Sequence, residues 1–143
     1  MIWSNKFQDR FLEWNRLRTD ILSMSKDQAL LAVNNWWQRA PMVNHYLHWD
    51  DWQEWPDPWT LLSDDVWCDV AKALGIMYTL MLAQHPEITD YHMIKCTESN
   101  LVQVDRGKYI LNWAPREIVN IFTNEDYTIE QTIEQKQLEY HLK

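Results

Sequence analysis

Tyr91-His92-Met93-Ile94-Lys95-Cys96-Thr97, followed by Leu101-Val102-Gln103-Val104-Asp105 and Lys108-Tyr109-Ile110-Leu111-Asn112-Trp113, is the stretch that decides the fold. In it the apolar period changes from the three-to-four of the preceding chain to two. Glu98-Ser99-Asn100 and Arg106-Gly107 supply turns at the right places, which predicts three strands joined as an antiparallel meander. The regular elements before it read as helices, with a Trp-rich loop between them. The expected class is therefore α+β, with helices packed on one face of a small three-stranded antiparallel sheet.

Working back from the strands, the spacing predicts a helix from Ser63 or Asp64 to about Gln84, with Val66, Val70, Ala73, Met77 and Met81 as its core face. Gly75 sits in its middle at a cost of about 1 kcal/mol against Ala, which implies a neighbour packed closely there. Asp64 and Asp65 suit the start of this helix, and His85-Pro86 ends it. Earlier, Phe7, Phe11, Trp14, Leu17 and Ile21 form one stripe over Asn5 to Leu22, with Arg10, Glu13 and Arg16 on the wet side. Ser25 with Gln28 opens a helix over Lys26 to Ala40, burying Leu30, Val33, Trp37 and Ala40. Forward of the strands, Pro115 predicts a short helix over Arg116 to Phe122. Thr128 with Gln131 predicts a last helix to about Leu142. The expected organisation is one domain over residues 1–127, with a Trp-rich loop at 42–62, and a helical tail at 128–143.

The 143 residues are 46% hydrophobic, enough for one core. Ten are tryptophan, seven of them between Trp36 and Trp67. A core this small cannot hide all ten, so some are expected to face a partner, a groove or solvent. Only Gly75 and Gly107 are glycine, which argues against phosphate-cradling loops. The formal charge of -8, with no basic cluster to offset it, disfavours nucleic acid. The longest mainly apolar run, Ile76 to Ala83, is too short for a bilayer, and no signal peptide is read. Cys68 and Cys96 are expected as free thiols in a reducing cytoplasm. His45, His48 and Asp50 have metal-ligand chemistry but no diagnostic spacing, so no metal and no cofactor are expected.

Cys68 in the first turns of a helix, His92 on a strand and Asn112 on a later strand supply a thiol, a base and an orienter, with Asp105 a competing orienter. This order resembles the transglutaminase-like branch of papain-fold enzymes, and Cys68 through Ile76 is similar to that family's nucleophile helix. The resemblance spans about a third of the chain, roughly Asp64 to Trp113. It implies a cysteine hydrolase or acyltransferase with Cys68 as nucleophile, His92 as base and Asn112 as orienter. Met77 and Tyr78 stand where that family has Pro and Arg, and Asn112 stands where it has Asp.

Trp55-Pro56-Asp57-Pro58-Trp59, then Cys68-Asp69, Leu74-Gly75-Ile76 and Tyr78-Thr79, also resemble small proteins of large contractile-tailed bacteriophages. That resemblance implies a particle component or assembly factor, located in the host cytoplasm or the virion. The aromatic loop residues Tyr46, Trp49, Trp52, Trp55 and Trp59 are the candidate interface, because Trp and Tyr dominate binding hot spots. The leading expectation is a non-enzymatic protein–protein interaction module whose partners are other protein subunits. Self-association is left open; neither nucleic acid nor membrane is expected as a partner.

Overall fold

Helix α4, Asp69–Ala83, is the axis of the computed structural model, which describes residues 3–42, 47–64, 67–96, 99–114, 117–120 and 128–142. Every residue of α4 from Val70 to Met81 is buried. A helix that is apolar all round must be covered all round. Helices α1 (Phe7–Asp20), α2 (Lys26–Gln38) and α3 (Pro58–Leu62) pack against it, and the sheet packs against it too.

The sequence signals for α2 are met in detail. Ser25 accepts from Gln28 N at 3.3 Å, and Leu30, Val33, Trp37 and Ala40 are buried. The mid-helix glycine also has its cause, since a Cβ at Gly75 would overlap the six-membered ring of Trp37. One turn on, the Thr79 hydroxyl accepts from the indoles of Trp14 (2.8 Å) and Trp37 (2.9 Å) and donates to Gly75 O (2.7 Å). That is the full capacity of a hydroxyl, one donor and two acceptor sites.

Helix α1 departs from its predicted face. Arg10, assigned above to the wet side, is 4% exposed, whereas Phe7 is 36% exposed. The buried line runs through Arg10, Trp14 and Ile21. Hydrogen bonds offset the burial of Arg10: Nε donates to Leu62 O (2.9 Å), Nη1 to Ser4 O (3.0 Å) and Nη2 to Asp64 O (3.1 Å). Its guanidinium also lies 5.5 Å from the Trp67 ring centre. It thus supplies donors to carbonyls at and just past the end of α3, which the helix itself cannot satisfy.

The helix expected from Ser63 or Asp64 starts only at Asp69, and a separate short helix, α3, lies before it in the segment expected as loop. Asp57 caps α3 by accepting from Thr60 N at 2.8 Å, and Pro58 occupies its first turn. The chain then leaves helical geometry, and Cys68 becomes the N-cap of α4. Asp65 and Val66 lie outside the described residues.

The meander is present as β1 (Tyr91–Cys96), β2 (Asn100–Val104) and β3 (Tyr109–Ala114), all antiparallel neighbours. The sheet is larger than three strands, however. Glu117–Asn120, expected as helix, is strand β4 beside β3. Ile129–Glu134, also expected as helix, is strand β5 beside β1, giving the order β4-β3-β2-β1-β5. Thr128, Ile129, Thr132 and Ile133 are all β-branched, and the ladder to β1 prevails over the four-residue spacing of the two isoleucines. Within this tail only Gln135–Leu138 (α5) and a 3₁₀ turn at Glu139–Leu142 are helical, while residues 129–134 join the sheet. The sheet has two dressed faces. Tyr91, Met93, Val102, Val104, Leu111 and Ile133 join the helical core, while Ile94, Cys96, Leu101 and Ile110 form a separate buried cluster on the other side.

Candidate functional site

The N-terminus of α4 is where the chain concentrates buried polar groups. Cys68 is 2% exposed, and its Sγ accepts from Leu47 N at 3.3 Å and Ala71 N at 3.4 Å. Asp69 follows. Its Oδ2 accepts from Asn100 N (2.7 Å) and Asn100 Nδ2 (3.2 Å), and its Oδ1 accepts from Asn112 Nδ2 (3.0 Å). Asn112 adopts φ 67, a left-handed conformation that Asn tolerates better than most residues. From there its amide also reaches Asn100 O, its backbone N donates to Asn34 Oδ1 at 2.8 Å, and its Oδ1 accepts from Gln38. Lys72, 3% exposed, sets its ammonium 3.4 Å from Gln38 O. Burial pushes the Asp69 carboxyl up from its ordinary value, against the hydrogen bonds from Asn100 and Asn112 and the charge of Lys72. Burial pushes the Lys72 ammonium down, and Asp69 offsets part of that. The cluster ties α2, α4, β2 and β3 together at one point.

It does not assemble the predicted catalytic set. His92 alternates with Tyr91 and Met93 and so lies on the side of Ile94 and Cys96, away from the helical core that holds Cys68. There its Nε2 hydrogen-bonds Gln103 Oε1 at 2.7 Å. Asn112 is at the α4 N-terminus, but its amide is committed to Asp69 and Asn100. Among the described residues, the strand side chains that hydrogen-bond Asp69 are the amides of Asn100 and Asn112, which take no proton from a thiol. Asp105 sits in the β2–β3 turn, paired with Lys26 at 2.5 Å.

No protein-family model, curated protein or solved structure matches this chain.

The aromatic loop divides. Tyr46 and His45 lie outside the described residues. Trp49 and Trp55 are buried and meet edge to face at 5.9 Å. The Trp49 indole donates to Asn100 Oδ1, which fastens the loop to the polar cluster, and the Trp55 indole donates to His48 O at 2.8 Å. Trp59 is 38% exposed, with its ring set against Trp14. Trp52, in the 3₁₀ turn Trp49–Glu54, is half-buried and forms one wall of a cleft of ≈ 560 Å³. Tyr140, 70% exposed, also lines it, with Gln53, Glu54, Lys136 and Gln137. A second depression beside it shares Trp52 and Gln137 and brings in Asp50 and Gln131. His141 Nε2 donates to Trp52 O at 2.9 Å and joins the two segments.

Sequence reasoning misses Asp69 and Asn100, one adjacent to Cys68 and the other read as a turn residue. It also misses Tyr140, read as an apolar position of a terminal helix. Among the described residues, no three His, Cys, Asp or Glu side chains group to hold a metal, and no helix is long and apolar enough to cross a membrane.

Proposed function

We propose that this chain is a protein–protein interaction module, serving as a structural or assembly component of a tailed-phage particle. The observation that carries the reading is the cleft lined by Trp52 and Tyr140, two aromatic side chains from distant parts of the chain left open to solvent and braced by the His141–Trp52 hydrogen bond. Large aromatic side chains held rigid at a surface are what binding hot spots are made of. The resemblance of Trp55 through Thr79 to small contractile-tail phage proteins supports the particle context.

The test is photo-crosslinking from a benzophenone amino acid placed at position 140, together with proteomics of purified particles. A single covalent adduct to one particle subunit is the expected result. A chain absent from particles and free of adducts overturns the reading. The cysteine-enzyme alternative is tested in the same preparation with iodoacetamide. Cys68 is expected to stay unmodified in the native protein, because it is buried and serves as a helix cap.

A further inference from the structure

A second cavity, of ≈ 420 Å³, lies where the C-terminal end of α4 and the turn after it meet the start of β1 and residues 135–142. It takes Gln135, Glu139 and Leu142 from the C-terminal segment, whereas the Trp52–Tyr140 cleft takes Lys136, Gln137 and Tyr140, so the two lie on different faces of that segment. We propose that this cavity binds a small organic cation: an ammonium at the rim against Glu139, and an apolar stem that ends inside in a neutral hydrogen-bonding group at the Tyr91 hydroxyl. The inference goes beyond the interaction reading above and does not depend on it.

The inner end rests on Tyr91. Its side chain is 5% exposed, yet its hydroxyl makes no hydrogen bond among the described residues. Nor is the hydroxyl one of the buried atoms sealed away without a partner, so it keeps access to space. Tyr78, also buried, donates to Pro56 O at 2.6 Å. A buried hydroxyl without a protein partner is costly, and a ligand group supplies what the fold does not. Tyr91 lines the cavity. A charge buried there would lack a counter-ion, which calls for a neutral partner at this end.

The rim rests on charge and on which donors are already spent. Glu139 is exposed and carries the one carboxylate among the lining residues, which include no Lys or Arg. Its carboxylate makes no hydrogen bond or ion pair among the described residues. His85 has both nitrogens engaged, Nε2 donating to Met24 O (2.9 Å) and Nδ1 accepting from Glu87 N (3.1 Å). Gln135 Nε2 spends its two N–H bonds on Thr89 O (3.0 Å) and Tyr91 O (3.2 Å), which leaves its Oε1 as an acceptor. Acceptors and negative charge without a competing cation select an ammonium over a carboxylate or phosphate.

Between the two ends stand Met81, Ile88 and Leu142, which suit a methylene stem. The bonds of His85 and Gln135 tie the turn to α4, to Met24 and to the C-terminal segment before any ligand arrives. A cavity built in this way needs little reorganisation on binding.

The probes are ω-amino alcohols with stems of about three to six carbons, a span that small cavities accept. Each has three controls of matched length: the alkylamine without the hydroxyl, the diol without the charge, and the hydroxy acid with the charge reversed. Binding is read from the Met81 methyl resonance. Saturable binding of one amino alcohol is expected, about threefold or more tighter than each of its controls. Glu139→Gln should abolish the preference for the ammonium over the diol and keep that for the hydroxyl. Tyr91→Phe should do the reverse, so that amino alcohol and alkylamine bind alike. Glu139 is exposed, and Tyr91→Phe removes only an atom with no protein partner, so both variants are expected to show native circular dichroism. No saturable shift up to about 10 mM with any stem overturns the proposal. So do equal binding of the hydroxy acid, or preferences that survive in both variants.

Discussion

The two aromatic regions of this protein use the same residue types for opposite ends. Around Gly75 and Thr79, the indoles of Trp14 and Trp37 are sealed in and share one hydroxyl. At the cleft, the Trp52 indole N–H and the Tyr140 hydroxyl make no hydrogen bond among the described residues, and both rings are partly wet. The contrast separates tryptophan as core from tryptophan as contact. An indole whose N–H is satisfied inside has its direction fixed by the fold, whereas an N–H at the surface is available to water or to another molecule. The chain's high tryptophan content therefore has two causes, and composition alone merges them.

The largest effect is expected where the inner region is broken. Thr79→Val keeps the shape and removes the acceptor of two buried indoles, each worth about 1–3 kcal/mol when left unsatisfied. The loss should total about 2–6 kcal/mol in urea unfolding, with an unchanged denaturant slope. A loss near zero would mean that the indoles find other acceptors, and the division between the two regions would lose its basis.

How much of this is legible in the sequence follows from the range of the interactions. Helix α2 is readable to its cap and stripe because Ser25, Gln28, Leu30 and Val33 are local signals. The close approach at Gly75 is readable because a glycine inside an apolar helix lowers stability unless a neighbour needs the space of its missing Cβ. The meander is readable from its alternation. Arg10 is not, since its burial depends on the carbonyls of Leu62 and Asp64, more than fifty residues away. Nor is β5, whose pairing with β1 joins segments more than thirty residues apart and prevails over a helix-like spacing. The cleft is half legible. Trp52 stands out in the aromatic loop, but Tyr140 lines the same cleft only because β5 brings the C-terminal residues back to that loop. Cys68 invites over-reading: its place at a helix start is real, but the strand residues beside Asp69 are Asn100 and Asn112 rather than a base.

A middle-sized effect is expected from pH, and again it belongs to the inner region. Burial pushes the Tyr91 hydroxyl up to about 12 and raises Tyr78 as well. Below about pH 10, the ordinary tyrosine value, folded and unfolded chains are both protonated, and these groups add no slope. Between about pH 10 and 12 the unfolded chain ionises first, so it binds fewer protons than the folded one and stability falls as pH rises. Tyr91→Phe should make the alkaline decline shallower, as followed by thermal unfolding at a series of pH values.

The smallest effect is the most telling for the comparison. Trp52→Phe deletes an indole N–H that has no protein acceptor among the described residues, and it keeps an aromatic wall on a half-buried site. Surface changes away from caps and networks stay within about ±0.5 kcal/mol, and this one should too. Trp49→Phe, three residues earlier, deletes the donor to Asn100 and should cost about 1–2 kcal/mol, read in the same urea titration. A cost at Trp52 equal to that at Trp49 would place Trp52 with the core, and the cleft would lose its claim to be a surface kept open for a partner.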